Sequence, residues 1–114
     1  GGNVNENEGR MLEQLEVEPY YEGVCYTQCA VQLVKNNPDR RLWAARWIYP
    51  EVARVYQTSV FCVVRRIRVV MVLTKAKSPD KFQEITHRSN ADGITISEWL
   101  TALYRYSSRN QAAA

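Results

Sequence analysis

Tyr49 to Met71 reads YPEVARVYQTSVFCVVRRIRVVM, and this stretch decides the fold. Pro50 is well placed in the first turn of a helix, which carries Val52, Ala53 and Tyr56. Gln57-Thr58-Ser59 then reads as a tight turn ending in an N-cap serine. A long segment follows, from Val60 to about Lys75. Its valines suit a strand. Yet some fifteen residues without Gly or Pro exceed a normal strand length. Val63, Ile67, Val70 and Thr74 mark one helical stripe, and Arg65, Arg66 and Arg68 fall off it. A short helix, a three-residue turn and a longer, arginine-bearing helix make a helix-turn-helix over residues 50–75. Corners of this kind also occur in bundles with no DNA role, so periodicity alone leaves that alternative open.

Working outward, residues 1–9 are Gly, Asn and Glu with one Val, and read as a disordered leader. Met11, Leu12 and Leu15 begin a short helical pattern that Pro19 is expected to end. Tyr21, Val24, Cys25, Ala30, Val31 and Val34 fit a helix stopped by Asn36-Asn37-Pro38. Asp39 is the expected N-cap of a helix from Arg40 to about Tyr49. Leu42, Trp43, Ala45, Trp47 and Ile48 make that helix apolar nearly all round, hence central. Ser78-Pro79-Asp80 opens another helix, with Phe82 and Ile85 pointing inward. Asn90 to Gly93 is a turn. Ser97 is the expected cap of the last helix, which carries Trp99, Leu100, Leu103 and Tyr104. Beyond Ser107 the chain is mostly polar or alanine, and residues 108–114 read as a frayed tail. The expected fold is all-α: a single domain over residues 10–107, a six- to seven-helix bundle containing a helix-turn-helix.

With 114 residues, 46% apolar and 24% charged, the chain suits one globular domain rather than a fibre or a disordered tail. No apolar run exceeds five residues, as in Val69 to Leu73, far short of the roughly 18 that a membrane span needs. No signal peptide is legible, so the expected location is the cytoplasm, with no membrane partner. Cys25 and Cys29 lie one helical turn apart, but a zinc site needs about four ligands. With Cys62 and the single His87 as the remaining candidates, no metal and no cofactor is expected. No Gly-rich phosphate loop, nucleophile elbow or catalytic carboxylate pair is present, and no enzyme activity is expected.

The net charge of +3 conceals a strong asymmetry. Residues 1–39 hold seven acids and two bases, residues 40–77 hold nine bases and only Glu51 as an acid, and residues 78–114 hold four of each. A basic middle segment on a nearly neutral domain is the electrostatic footprint of a polyanion, with a solvated basic face as the bland alternative.

These residues resemble a known family. Ile48-Tyr49-Pro50-Glu51-Val52-Ala53-Arg54-Val55-Tyr56, then Gln57-Thr58-Ser59, is similar to the pattern of the C-terminal effector domain of stage 0 sporulation protein A. There a Leu-Tyr-Pro-x-Ile-Ala-x-x-Phe helix and a Thr-rich turn precede the recognition helix. Val17 to Val34, with Gly23, Tyr26 and Ala30, resembles the family's second helix, and Ser97-Glu98-Trp99-Leu100 its late Ser-Glu-Phe-Ile helix. The resemblance implies a bacterial transcription factor domain of six helices. Such a domain binds double-stranded DNA through the helix-turn-helix, often as tandem copies, and is nucleoid-associated when bound. The family also carries a receiver domain, for which 114 residues leave no room.

The departures fall in the recognition helix. There the family presents Ser, Arg, Glu, Arg, Arg and His to DNA. The Ser falls on Phe61, the first Arg on Cys62 and the Glu on Val64. The later arginines fall on Arg65 and Arg68, and the His on Val69. Arginine reads guanine and glutamate reads cytosine, and Cys62 and Val64 do neither. The expected DNA-binding set is therefore Thr58 and Ser59 on the backbone, Phe61 and Cys62 nearest the bases, Phe61 and Val64 toward thymine methyls, Val69 on the same helix, and Arg65, Arg66 and Arg68 on phosphate or guanine. The alternative is a degenerate helix-turn-helix serving as a protein–protein interaction module. Its apolar strip of Phe61, Cys62, Val64 and Val69 would dock a partner or a second copy.

Overall fold

Helix α1 (Glu18–Asn36) opens the described chain of the computed structural model, which covers residues 18–39 and 44–113. Pro19 sits in its first turn, where a missing N–H costs nothing, so this proline starts the helix. Asn37 closes the other end by donating its N–H to the carbonyls of Leu33 and Val34, at 3.1 and 3.2 Å. The leader at residues 1–9, the helical pattern at Met11–Leu15, and Leu42 and Trp43 lie outside the described residues.

The segment expected to form a separate helix up to Tyr49 instead runs straight into the next one. Ala44–Ile48 is a single wide π-helical turn, and Ile48 keeps right-handed helical angles into α2 (Tyr49–Tyr56). Pro50 has no N–H to offer the carbonyl four residues back, so an ordinary α ladder cannot run through it. Ala44 and Ile48 are buried in this turn, whereas Ala45 is exposed and Trp47 half-buried. That segment is therefore one-sided rather than apolar all round.

The three remaining helices are α3 (Val60–Lys77), α4 (Pro79–Thr86) and α5 (Ile96–Ala113). Five α-helices and one π turn, without a strand, make up the described residues, fewer than the six or seven expected. Ser78 alone links α3 to α4. Its N–H closes α3 on the Thr74 carbonyl at 2.8 Å, and its carbonyl accepts the Phe82 N–H at 2.9 Å. α4 ends on His87, which takes a left-handed conformation with φ 59°. The Asn90–Gly93 turn follows, with Gly93 at φ 77°.

The last helix is capped by Thr95, not by Ser97. The Thr95 hydroxyl accepts the Glu98 N–H at 3.0 Å, and the Glu98 carboxylate accepts the Thr95 N–H at 3.1 Å. This reciprocal capping box satisfies two otherwise orphaned donors. Those bonds hold the Glu98 carboxyl below the usual range. Ser97 instead lies 3.4 Å from the Tyr49 hydroxyl. α5 then runs on to Ala113, through residues that read from composition as a tail.

One core joins these elements. α3 contributes Val63, Ile67 and Met71, α1 contributes Tyr26, Ala30 and Val34, and α2 contributes Val52 and Ala53. Phe82 and Ile85 of α4 meet Trp99 and Leu100 of α5, and the Phe82 and Trp99 rings stack at 5.9 Å. Helices α1 and α3 approach closely at Gly23. A Cβ there would sit 2.7 Å from Val70 Cγ2 and inside the contact distance of the Arg66 carbonyl oxygen. Those partners are backbone and a β-branched side chain, neither of which yields easily. Gly23→Ala is therefore expected to cost about 1–3 kcal/mol by overpacking, against the ~1 kcal/mol gain alanine brings elsewhere in helices. Urea denaturation followed by circular dichroism reads the sign directly.

Candidate nucleic-acid interface

The corner between α2 and α3 is built by its backbone. Gln57 takes the left-handed conformation, φ 53° and ψ 50°. Its N–H donates to the Arg54 carbonyl at 3.3 Å, and the Thr58 N–H donates to the Ala53 carbonyl at 2.9 Å. This Schellman closure ends α2 and turns the chain. Ser59, extended at φ −90° and ψ 155°, then starts α3, its Oγ accepting the Cys62 N–H at 3.0 Å. The serine is the N-cap that the sequence leads one to expect.

Helix α1 braces this corner. Burial pushes the Tyr26 hydroxyl pKa up, and the neighbouring Thr58 side chain pulls it the other way. The Tyr26 and Tyr56 rings meet at 5.0 Å, inclined by 56°. Thr58 is half-buried beside Tyr26, and Ser59 is occupied by capping. Glu51 and Arg54 pair across one turn of α2, which holds the Glu51 carboxyl below its ordinary range. Arg54 is thereby committed to a neighbouring carboxylate.

The faces of α3 follow from its 100° step per residue. Val63, Ile67, Val70 and Met71 point into the core. Directly opposite runs a stripe of Phe61, Arg65, Arg68 and Val72, at i, i+4, i+7 and i+11, every member exposed. Phe61 is 73% exposed, more than any other large apolar side chain described, and Val72 is 48% exposed.

The other expected site residues lie elsewhere. Arg66 turns toward α1, its Nε 3.4 Å from the Glu22 carboxylate and its side chain only 28% exposed. Cys62 and Val64 are half-buried and packed against the core, and Val69 is half-buried on the flank. The expected apolar strip of Phe61, Cys62, Val64 and Val69 is therefore not one continuous surface. Only Phe61 stands fully out, because the core pulls Cys62 and Val64 partly inward. Among the described residues no carboxylate pairs with Arg65 or Arg68. Val72 was missed from sequence, although its place three to four residues beyond Arg68 and Val69 was a sufficient signal.

A second basic surface also escaped the sequence reading. His87, Arg88, Arg105 and Arg109 line an open groove of about 500 Å³ between the end of α4 and α5. These residues are too far apart in sequence to form a motif. Arg88 reaches across the loop to the Asp92 carbonyl at 3.2 Å. Among the described residues no three metal-ligating side chains gather at one place, and burial pushes the Cys29 thiol pKa up, away from the thiolate that binds metal.

The Ser59 cap and any phosphate contact at the same residue can be separated. Ser59→Ala is expected to lower stability by about 1 kcal/mol, and Ser59→Asp to restore it, since aspartate caps as well as serine. Thermal or urea unfolding of the two variants checks both signs.

Comparison with known families matches residues 9–105 to the family described as sporulation initiation factor Spo0A C terminal. No curated protein and no solved structure matches the chain. The match spans the braced corner, the outward stripe of α3 and most of α5, and it agrees with the helical architecture. The chain therefore belongs to the Spo0A C-terminal family of DNA-binding sporulation effector domains.

Proposed function

We propose that this chain is a DNA-binding transcriptional regulator that lays α3 in the major groove of double-stranded DNA. The observation that carries this reading is the outward stripe on α3. Two guanidinium groups, Arg65 and Arg68, stand exposed one turn apart on the helix that follows a helix-turn-helix corner, with no carboxylate partner among the described residues. Guanidinium suits both phosphate and the O6 and N7 atoms of guanine. Lys75 and Lys77 extend the positive charge along the same helix. Arg66 is assigned a bracing role through Glu22 rather than a DNA contact. Binding as tandem copies on adjacent half-sites is part of the proposal, as is a cytoplasmic, nucleoid-associated location. Among the described residues no helix is long and apolar enough to cross a membrane.

The exposure of Phe61 favours one rival, a protein-docking helix. Fluorescence anisotropy against a random duplex at two salt concentrations separates the two readings. The DNA reading expects affinity that falls steeply with salt. Arg65→Glu/Arg68→Glu is expected to weaken binding at least tenfold. It also flattens the slope of log affinity against log salt by roughly two, one unit for each lost contact. Both side chains are exposed, so the melting temperature stays within a few degrees. A double variant that binds as tightly as the parent chain overturns the proposal, and salt-insensitive or absent binding moves the assignment to the docking helix.

A further inference from the structure

We infer that Phe61 is a specificity-determining residue that recognises the C5-methyl group of thymine in the major groove, an inference that rests on the DNA-binding reading above. Phe61 lies in the first turn of α3, immediately after the Ser59 cap, where a helix entering the groove reaches base edges. Its ring is 73% exposed in the free protein, and none of the ring contacts among the described residues includes it. An aromatic side chain of this size left in water beside two arginines has a favourable burial free energy not yet realised. The major groove of DNA offers one apolar feature at its base edges, the methyl group of thymine.

Charge decides what the ring meets. Arg65 and Arg68 follow Phe61 on the same stripe and carry no acidic partner among the described residues. A surface with two cations beside the ring repels a basic partner and suits a polyanion. Four residues of helix advance about 6 Å, and successive bases of one strand are separated by about 3.4 Å. The ring of Phe61 and the guanidinium of Arg65 therefore reach bases one or two steps apart. The target chemistry is a thymine methyl one or two positions from a guanine. Cys62 and Val64 do not share this task, because both pack against the core.

The probe is a 24-base-pair alternating d(TG)·d(CA) duplex, titrated by fluorescence anisotropy beside the same duplex with every thymine replaced by uracil. The two differ only in the methyl groups, so phosphate contacts are held equal. The parent chain is expected to bind the thymine duplex roughly three- to fivefold more tightly, the effect of burying one methyl group. Phe61→Ala is expected to bind both duplexes alike, with the salt slope of the parent chain retained. Because Phe61 is exposed, this variant keeps its melting temperature, and Phe61→Leu keeps part of the discrimination. Equal binding of the two duplexes by the parent chain overturns the inference while the salt-dependent DNA reading stands. Discrimination that survives in Phe61→Ala also overturns it, since the methyl is then read elsewhere. Absence of binding to either duplex overturns the DNA reading, and the inference falls with it.

Discussion

The backbone of α1 touches the backbone of α3 at Gly23, and the rest of the molecule depends on that approach. No side chain separates the two helices there, so the Arg66 carbonyl and Val70 lie directly against α1. The crossing sets how α3 is rotated about its own axis. Once Val70 and Ile67 face α1 and the core, Arg65 and Arg68 must face solvent, because a helix turns 100° per residue. The same approach puts Glu22 beside Arg66. It also carries Tyr26 to the turn, where its hydroxyl comes near Thr58 and its ring packs on Tyr56. Position, rotation and entry angle of α3 thus share one origin.

The corner itself needs little from side chains. A left-handed Gln57 and two backbone hydrogen bonds close α2, and one serine opens α3. Left-handed backbone costs a non-glycine residue about 1–2 kcal/mol. The two backbone hydrogen bonds that close α2 form with that conformation. The exposed stripe can therefore change composition without disturbing the corner. Phe61 and Val72 illustrate this: both are large apolar side chains held in water on a helix whose opposite face is fully buried.

Much of this was legible in the sequence, and the reasons for the failures are local. Val63, Ile67 and Val70 announced the buried face of α3, and Ser59 announced its start, because both signals lie within one element. Arg66 stands apart from Arg65 because the two are adjacent in sequence but 100° apart around the helix. Only the position of α1 decides which arginine it faces. Cys62 and Val64 sit on the boundary of the buried face, where periodicity cannot separate half-buried from exposed. The π turn before α2 left no pattern, since Pro50 reads equally as the start of a new helix or as a change of pitch within one. Thr95 and Glu98 carry the spacing of a capping box, a signal that lies two residues before the serine expected to cap the helix.

A narrow reading face limits what one copy of the domain can do on DNA. Three of the six positions that the family resemblance turns toward the bases, at Cys62, Val64 and Val69, are half-buried and apolar in this chain. The side chains of this set that face fully outward on α3 reduce to Phe61, Arg65 and Arg68. A bidentate arginine contributes about 1–3 kcal/mol of discrimination, and one methyl contact about 0.8 kcal/mol. Together these reach about 3–7 kcal/mol, the lower part of the roughly 4–10 kcal/mol that separates specific from non-specific binding. If the stripe reads DNA, a single domain is therefore marginal as a specific binder. Two copies on adjacent half-sites supply the missing discrimination without any change to the stripe, because their contributions combine on one stretch of duplex. On the DNA-binding reading, the proposed tandem arrangement follows from how few side chains α3 leaves facing outward.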